Sequence, residues 1–254
     1  MIKKVVHLAD IHVRLFKRLD EYELVFQEFY NQLEEIKPDR IVIVGDLAHN
    51  KIQASPELFA TLCKFLNKCT QYCEKLIIVP GNHDTILGSD RLDVITPIIE
   101  ALNNPKIIYS TKSEVITDED INWCHWSIFE EYKTPEIKKE KGKINVGLYH
   151  GVIQGSQNAF GYDFDNHGMP IGEFDNCDIC MFGDIHLYQH WRNGELVMPS
   201  SMIQQNFGES PENHGFVLWE RNNKNKFEHQ IIELKNDYGY YSLELNGFDK
   251  LQEL

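Results

Sequence analysis

No apolar run in this sequence approaches the roughly 18 residues that a membrane span needs, which excludes a helical membrane protein. Positive charge is also scarce. The chain has 25 Lys+Arg against 39 Asp+Glu and a formal charge of −14, which argues against a generic nucleic-acid-coating protein. Six cysteines in 254 residues are too few for a disulfide scaffold and point inside a cell, to the cytoplasm. Cys177-Asp178-Ile179-Cys180 has CxxC spacing, but no second CxxC exists to complete a zinc site, so buried free thiols are expected. There is no internal repeat, no low-complexity tract and no GxxxxGK[ST] phosphate loop, so any ATP dependence must come from a partner. The start, Met1 to Asp10, reads as a first strand and not as a signal peptide.

What is present is ordinary globular material, 42 % hydrophobic and 25 % charged. The length suits one large domain or two small ones, with enough chain for a substantial core. The first half alternates strand and helix. Val5 to Ala9, Arg40 to Val44 and Lys75 to Val79 read as apolar strands. Tyr22, Val25, Phe26, Phe29, Leu33 and Ile36 recur at helical steps over 19–36, until Pro38 stops the pattern. Ser55-Pro56-Glu57 opens a second helix, with Leu58, Leu62, Phe65, Leu66 and Cys69 as its buried stripe. A third helix is expected over 91–102. Nearly continuous apolar strands joined by helices imply a parallel sheet covered on both faces. The second half holds short strands at 106–109, 121–128, 144–149, 179–182, 195–198, 216–220 and 227–234, which suggests a second, largely antiparallel sheet packed on the first. Residues 133–143 read as a solvated connection, and the tail from Tyr238 has no clear pattern.

Five strands run straight into polar clusters: Asp10-Ile11-His12, Gly45-Asp46-Leu47-Ala48-His49, Gly81-Asn82-His83-Asp84, His150-Gly151 and Gly183-Asp184-Ile185-His186. Sites of open α/β sheets form beyond the carboxyl ends of strands, so these clusters can converge in space. Asp-x-His on an extended chain points both side chains to one side. Glycine before Asp46, Asn82 and Asp184 permits tight turns and close backbone approach. Oxygen and imidazole donors without thiolate suit a pair of Mn²⁺, Fe or Zn²⁺ ions. Two ions roughly 3.5–4 Å apart activate water and clamp a phosphoryl group.

The order DxH, GD, GNHD, HG, GxxH resembles the calcineurin-like metallophosphoesterase superfamily over residues 1–220. His49, three residues after Asp46, is similar to the SbcD-type double-strand-break repair nucleases. So is the run Pro199 to Glu209, which resembles the loop after the last metal motif in phage and bacterial members. The resemblance implies an α/β fold, a two-sheet α/β/β/α sandwich with the metal site at the carboxyl ends of strands. It implies one metal on Asp10, His12, Asp46 and His186, and a second on Asp46, Asn82, His150 and Asp184, with Asp46 bridging. His83 would be the general acid, oriented by Asp84, and His49 would position the phosphate or His83. The family pattern has histidine where this chain has Asp184. A carboxylate there favours a hard ion such as Mn²⁺ or Mg²⁺ and leaves Asp184 as a non-ligand open.

By the same resemblance the chain is a Mn²⁺-dependent DNA nuclease, 3′→5′ exonuclease and endonuclease, hydrolysing phosphodiesters at DNA ends in recombination and repair by metal-activated water. Its partners would be DNA, a separate SMC-like ATPase of the SbcC type and a second copy of itself. Two other readings stay open: a phosphoesterase for nucleotides, cyclic nucleotides or phosphoproteins, and a non-catalytic scaffold with a degraded metal site. His7 and His125 read as core residues, and His167, His190, His214 and His229 as loop or surface. Arg14, Lys17 and Arg18 either meet phosphates or are solvated. Phe160, Tyr162 and Phe164 either pack their loop or stack on an unpaired base.

Overall fold

A computed structural model of the chain describes residues 1–89 and 91–241, so the tail beyond Tyr241 lies outside the described residues. The first sheet begins with β1 (Lys4–Leu8), β2 (Arg40–Val44), β3 (Lys75–Val79) and β4 (Ile107–Tyr109), all parallel. Each of the three leading strands is buried on two faces, which is why it reads as an unbroken apolar run. On β1, Val6 and Leu8 turn toward the helices, while Val5, and Ala9 just past the strand, turn toward the second sheet.

Helices α1 (Leu19–Ile36), α2 (Pro56–Tyr72) and α3 (Thr96–Leu102) cover the outer face. Helix α1 buries Tyr22, Val25, Phe26, Phe29 and Leu33, and α2 buries the whole expected stripe from Leu58 to Cys69. Ser55 caps α2, its side chain accepting from the Leu58 amide at 3.1 Å. Helix α3 starts five residues later than the sequence suggests. Asp93 accepts from the Ile95 and Thr96 amides (2.8 and 2.7 Å) and so ends the irregular stretch before it.

The second sheet, in spatial order, contains β5 (Glu114–Asp118), β6 (Ile121–Trp126), β7 (Ile144–His150), β8 (Ile179–Gly183), β10 (Leu196–Met198) and β9 (Gln189–Trp191). The expectation of a largely antiparallel sheet is corrected: β6, β7, β8 and β10 run parallel, and only the edge strands β5 and β9 are antiparallel. The loops after β6 and β7 are long enough to carry the chain back to the starting end, as a parallel pairing requires. Nor do the sheets divide at mid-chain. Strands β11 (Gly215–Arg221) and β12 (Phe227–Glu233) return to the first sheet, antiparallel beside β1.

Val42, Val44, Ile77 and Trp219 of the first sheet meet Trp123, Val146, Leu148 and Met181 of the second in a dry layer. The outer face of the second sheet is covered by loops and short 3₁₀ turns at Ile128–Glu130 and Ile171–Phe174, with Phe174 buried among Trp126, Tyr149 and Phe182. All six cysteines are free. No helix among the described residues is long and apolar enough to cross a membrane. Strands β1, β2, β3, β7 and β8 end at one edge of the sandwich, and all five polar clusters stand there.

Candidate metal centre

The loops after β1 and β2 are joined side by side. The Asp10, His12 and Val13 amides donate to the carbonyls of Gly45 (3.2 Å), Asp46 (2.8 Å) and Leu47 (2.9 Å). Asp10, His12, Asp46 and Asp184 all have positive φ (55°, 52°, 55° and 102°). The extended geometry expected for the two Asp-x-His motifs is therefore corrected: a left-handed kink past the strand end turns these side chains inward, not strand alternation. Such a conformation costs a non-glycine residue on the order of 1–3 kcal/mol and persists only where the surroundings impose it. Gly45 (φ 82°) also admits the His150 ring, with which a β-carbon would collide, and Gly81 likewise leaves room for the Asp46 carboxylate.

The kinks bring the expected donors together. His12 Nε2 lies 3.0 Å from His186 Nε2 and 3.5 Å from Asp46 Oδ2. Asp10 Oδ1 is 3.9 Å from both imidazoles. Beside this group, His150 Nε2 is 3.3 Å from Asp46 Oδ2 and 3.7 Å from Asp184 Oδ1. Asn82 Nδ2 donates to Asp184 Oδ1 at 2.5 Å. Asp46 thus stands between His12 and His150, and Asp10 belongs both to the trio with His12 and His186 and to the trio with Asp46 and His150.

Two divalent cations fit this constellation, on three observations. His150 donates through Nδ1 to the Val44 carbonyl (2.7 Å), so its buried Nε2 faces two carboxylates without a hydrogen-bond partner among the described residues. The donors are imidazole nitrogen and carboxylate or amide oxygen, a set for Mn²⁺, Fe or Zn²⁺. The charge balance is the third. Burial pushes the Asp10 carboxyl up to about 7 against the pull of His150 and His186. Burial acts downward on His150, yet Asp46, Asp10 and Asp184 outweigh it and raise its imidazole well above the usual value. Protons thus stand in for missing positive charge.

His83 sits over this group, its ring edge-on to His12 at 4.8 Å. Its Nδ1–H donates to the His49 carbonyl (2.9 Å), which leaves Nε2 without a hydrogen-bond partner among the described residues, and its amide donates to Asp46 Oδ1 (2.7 Å). The expected role of Asp84 is corrected. Its carboxylate accepts from the amides of Asp46, Ala48 and Gly81, all at 2.9 Å, and fixes the two loops to each other, not the His83 ring. The backbone of His49 supplies that orientation. The His49 side chain accepts through Nε2 from Arg14 Nη1 at 3.2 Å, so Arg14 lies within the site.

Sequence reasoning missed Glu209. It is buried, and its Oε1 accepts from His186 Nδ1 at 2.8 Å, which turns Nε2 toward Asp10. Its signal was the acid ending the Pro199–Glu209 run. His214 lies in the loop before β11, as one of the two expectations for it had it, but it is buried, bonded to the Ser201 and Ser210 carbonyls (2.9 and 2.7 Å). His7 and His125 are core residues, bonded to the Phe182 carbonyl (3.0 Å) and to Ser110 (2.9 Å).

The calcineurin-like phosphoesterase family model matches residues 3–188. Uncharacterized protein R555 of Acanthamoeba polyphaga mimivirus is 33 % identical over 259 residues, 96 % of this chain and 19 % of that protein. The SbcD component of nuclease SbcCD from Staphylococcus epidermidis is 22 % identical over 91 % of this chain and 70 % of its own length. The chain therefore spans about a fifth of the first relative. Among solved structures, TT1561 of Thermus thermophilus has the same fold, with a TM-score of 0.51, 10 % identity and coverage of 91 % of this chain and 99 % of that one.

Proposed function

This chain belongs to the calcineurin-like phosphoesterase family of hydrolases, and from that premise we propose that it is a Mn²⁺-dependent DNA nuclease. It removes nucleotides in the 3′→5′ direction and cuts within strands near DNA ends, in recombination and repair. It works as a homodimer beside a separate SMC-like ATPase that supplies the ATP-driven step. The similarity to the SbcD component of a nuclease along 91 % of the chain supports the choice of DNA.

The observation that carries the chemistry is the free Nε2 of His83, directed by the His49 carbonyl beside two joined donor trios. One ion would sit on Asp10, His12, Asp46 and His186, the other on Asp46, Asn82, His150 and Asp184. A bound ion pair supplies an activated water and neutralises charge that builds on the phosphoryl oxygens. The protein's own part is orientation and proton transfer. Glu209 and the Val44 carbonyl fix the faces of His186 and His150. The Asp84 carboxylate keeps the Asp46 and Asn82 loops in one register. His83 gives a proton from Nε2 to the departing 3′ oxygen.

Purified protein with Mn²⁺ should degrade DNA. His83→Ala should lower that activity by roughly 10²–10⁴-fold, as loss of a general acid does, while elemental analysis still finds two ions per chain. Full activity without His83, or none with Mn²⁺, overturns the reading. Turnover of nucleotides but not of DNA would assign a small-ester phosphoesterase instead.

A further inference from the structure

The loop that holds His186 through Glu209 also carries large apolar rings into solvent. Phe207 is 67 % exposed and Phe160, from the loop after β7, is 75 % exposed. Both flank Gly208: Phe207 by sequence and Phe160 in space, since a β-carbon at 208 would collide with the Phe160 ring. Phe207 lies 4.7 Å from the Tyr240 ring, whose centroid is 4.9 Å from the Arg18 guanidinium. These groups form a preassembled cluster, the Phe207 and Tyr240 rings tilted by 53°, from which Phe207 stays largely exposed. Arg18 is fixed to the same loop, donating to the Gln204 carbonyl at 2.7 Å.

Single exposed apolar residues are normal, but rings gathered on the loop that positions a metal ligand mark a contact surface. The charges say what it contacts. Arg14, on the loop after β1, donates to the Gln205 carbonyl (3.3 Å) and to His49 (3.2 Å), and has no carboxylate partner among the described residues. In a chain of net charge −14 this places an unneutralised guanidinium between the rings and the metal centre. Rings that stack any base, beside a cation that tolerates phosphate, are what single-stranded nucleic acid requires.

Resting on the nuclease reading above, we propose that Phe160, Phe207 and Tyr240 form a stacking track that receives unpaired bases and feeds a single strand past Arg14 into the metal centre. The chain's substrate is then a single strand or a frayed end, not an intact duplex. Phe207 is on the loop that orients His186, and Phe160 and Tyr240 pack against that loop, so whatever occupies the track lies beside the reacting phosphate. That favours the substrate over a protein partner.

The test measures binding of a fluorescent 15-nucleotide oligothymidine and of a blunt duplex of equal length to the full chain in EDTA, together with Mn²⁺-dependent turnover of bis(p-nitrophenyl) phosphate. Phe160→Ala/Phe207→Ala should weaken single-strand binding by roughly 10-fold for each ring removed. Duplex binding and small-diester turnover should stay near wild type. Gly208→Ala displaces the Phe160 ring without deleting it and should itself cost roughly 10-fold in single-strand binding. Unchanged oligonucleotide binding in the double variant overturns the track. So does an equal loss of small-diester turnover, which would make the rings a support for the centre. Loss of self-association with oligonucleotide binding unchanged would assign the patch to protein contact. If the wild type turns over the small diester but neither binds nor cleaves the oligonucleotide, the nuclease reading falls and the track with it. If it cleaves DNA and the double variant binds normally, only the track falls.

Discussion

The two ends of the sandwich treat buried acid in opposite ways. At the amino ends of β2 and β3, Arg40 is fully buried and donates to Asp118 (2.6 and 3.1 Å), Glu74 (2.8 Å) and Glu119 (3.0 Å), while Lys75 reaches the same Asp118 at 2.7 Å. Asp120 pairs with Arg221 nearby. Each of these four carboxylates meets a cation supplied by the chain. At the carboxyl ends, the only side chains that could offer Asp10, Asp46 and Asp184 a positive charge among the described residues are imidazoles, on a backbone kinked into the left-handed region. The first end joins the sheets. The second is left short of positive charge, and a bound ion pair would supply it. The same residue type is structural or chemical according to whether its counter-charge is covalently part of the chain.

The comparison breaks most visibly at Asp10, which belongs to both donor trios. Asp10→Asn should reduce turnover by at least about 10³-fold, because several kcal/mol of charge stabilisation is lost. Calorimetry should show weaker metal binding. The metal-free variant should be no less stable than wild type at pH 8, since burial already raises this carboxyl to about 7 and ionising it works against folding. A large loss of metal-free stability would show that the two ends are alike.

The reverse change at the other end should do the reverse. Asp118→Ala removes the central partner of a buried guanidinium, and denaturant unfolding should report a loss of about 3 kcal/mol. Turnover per folded molecule should stay unchanged. A drop in turnover comparable to that of Asp10→Asn would contradict the separation.

Acid should sharpen the contrast with smaller effects. Burial lowers His7, on the inner face near Phe182, and His125 to about 3 from the ordinary 6.5. The unfolded chain binds more protons in that window, so stability should fall as pH drops from about 6.5 toward 3, by a few kcal/mol in all. For Asp118, burial is outweighed by Arg40 and Lys75, which hold its carboxyl down to about 2. Its contribution is complete above pH 3.8 and is lost only as pH falls toward 2. Melts of His7→Gln and Asp118→Asn against pH should therefore diverge from wild type in different windows.

Much of the fold was legible because it is local. Helix α1 and strands β2 and β3 match the periodicity at both ends, since apolar spacing, Pro38 and the strand-end glycines act over a few residues. Strands β5 and β9 escaped notice. They are edge strands, partly exposed, and offer neither alternation nor a continuous apolar run. Of the rings at 160–164, Phe164 packs against the outer core while Phe160 stays open, a difference that sequence spacing does not encode.

By itself the sequence determined which donors stand at which strand ends, in what order, with oxygen and nitrogen but no thiolate, and with glycine where rings must approach backbone. Only the tertiary structure decided that the second sheet runs parallel at its centre, that Asp84 secures loops while the His49 carbonyl aims His83, and that Glu209 stands behind His186. These are contacts between residues 23 to 38 positions apart, or between strands joined by long loops. Local propensity has no reach over such separations; packing and the need to satisfy each buried polar atom decide them.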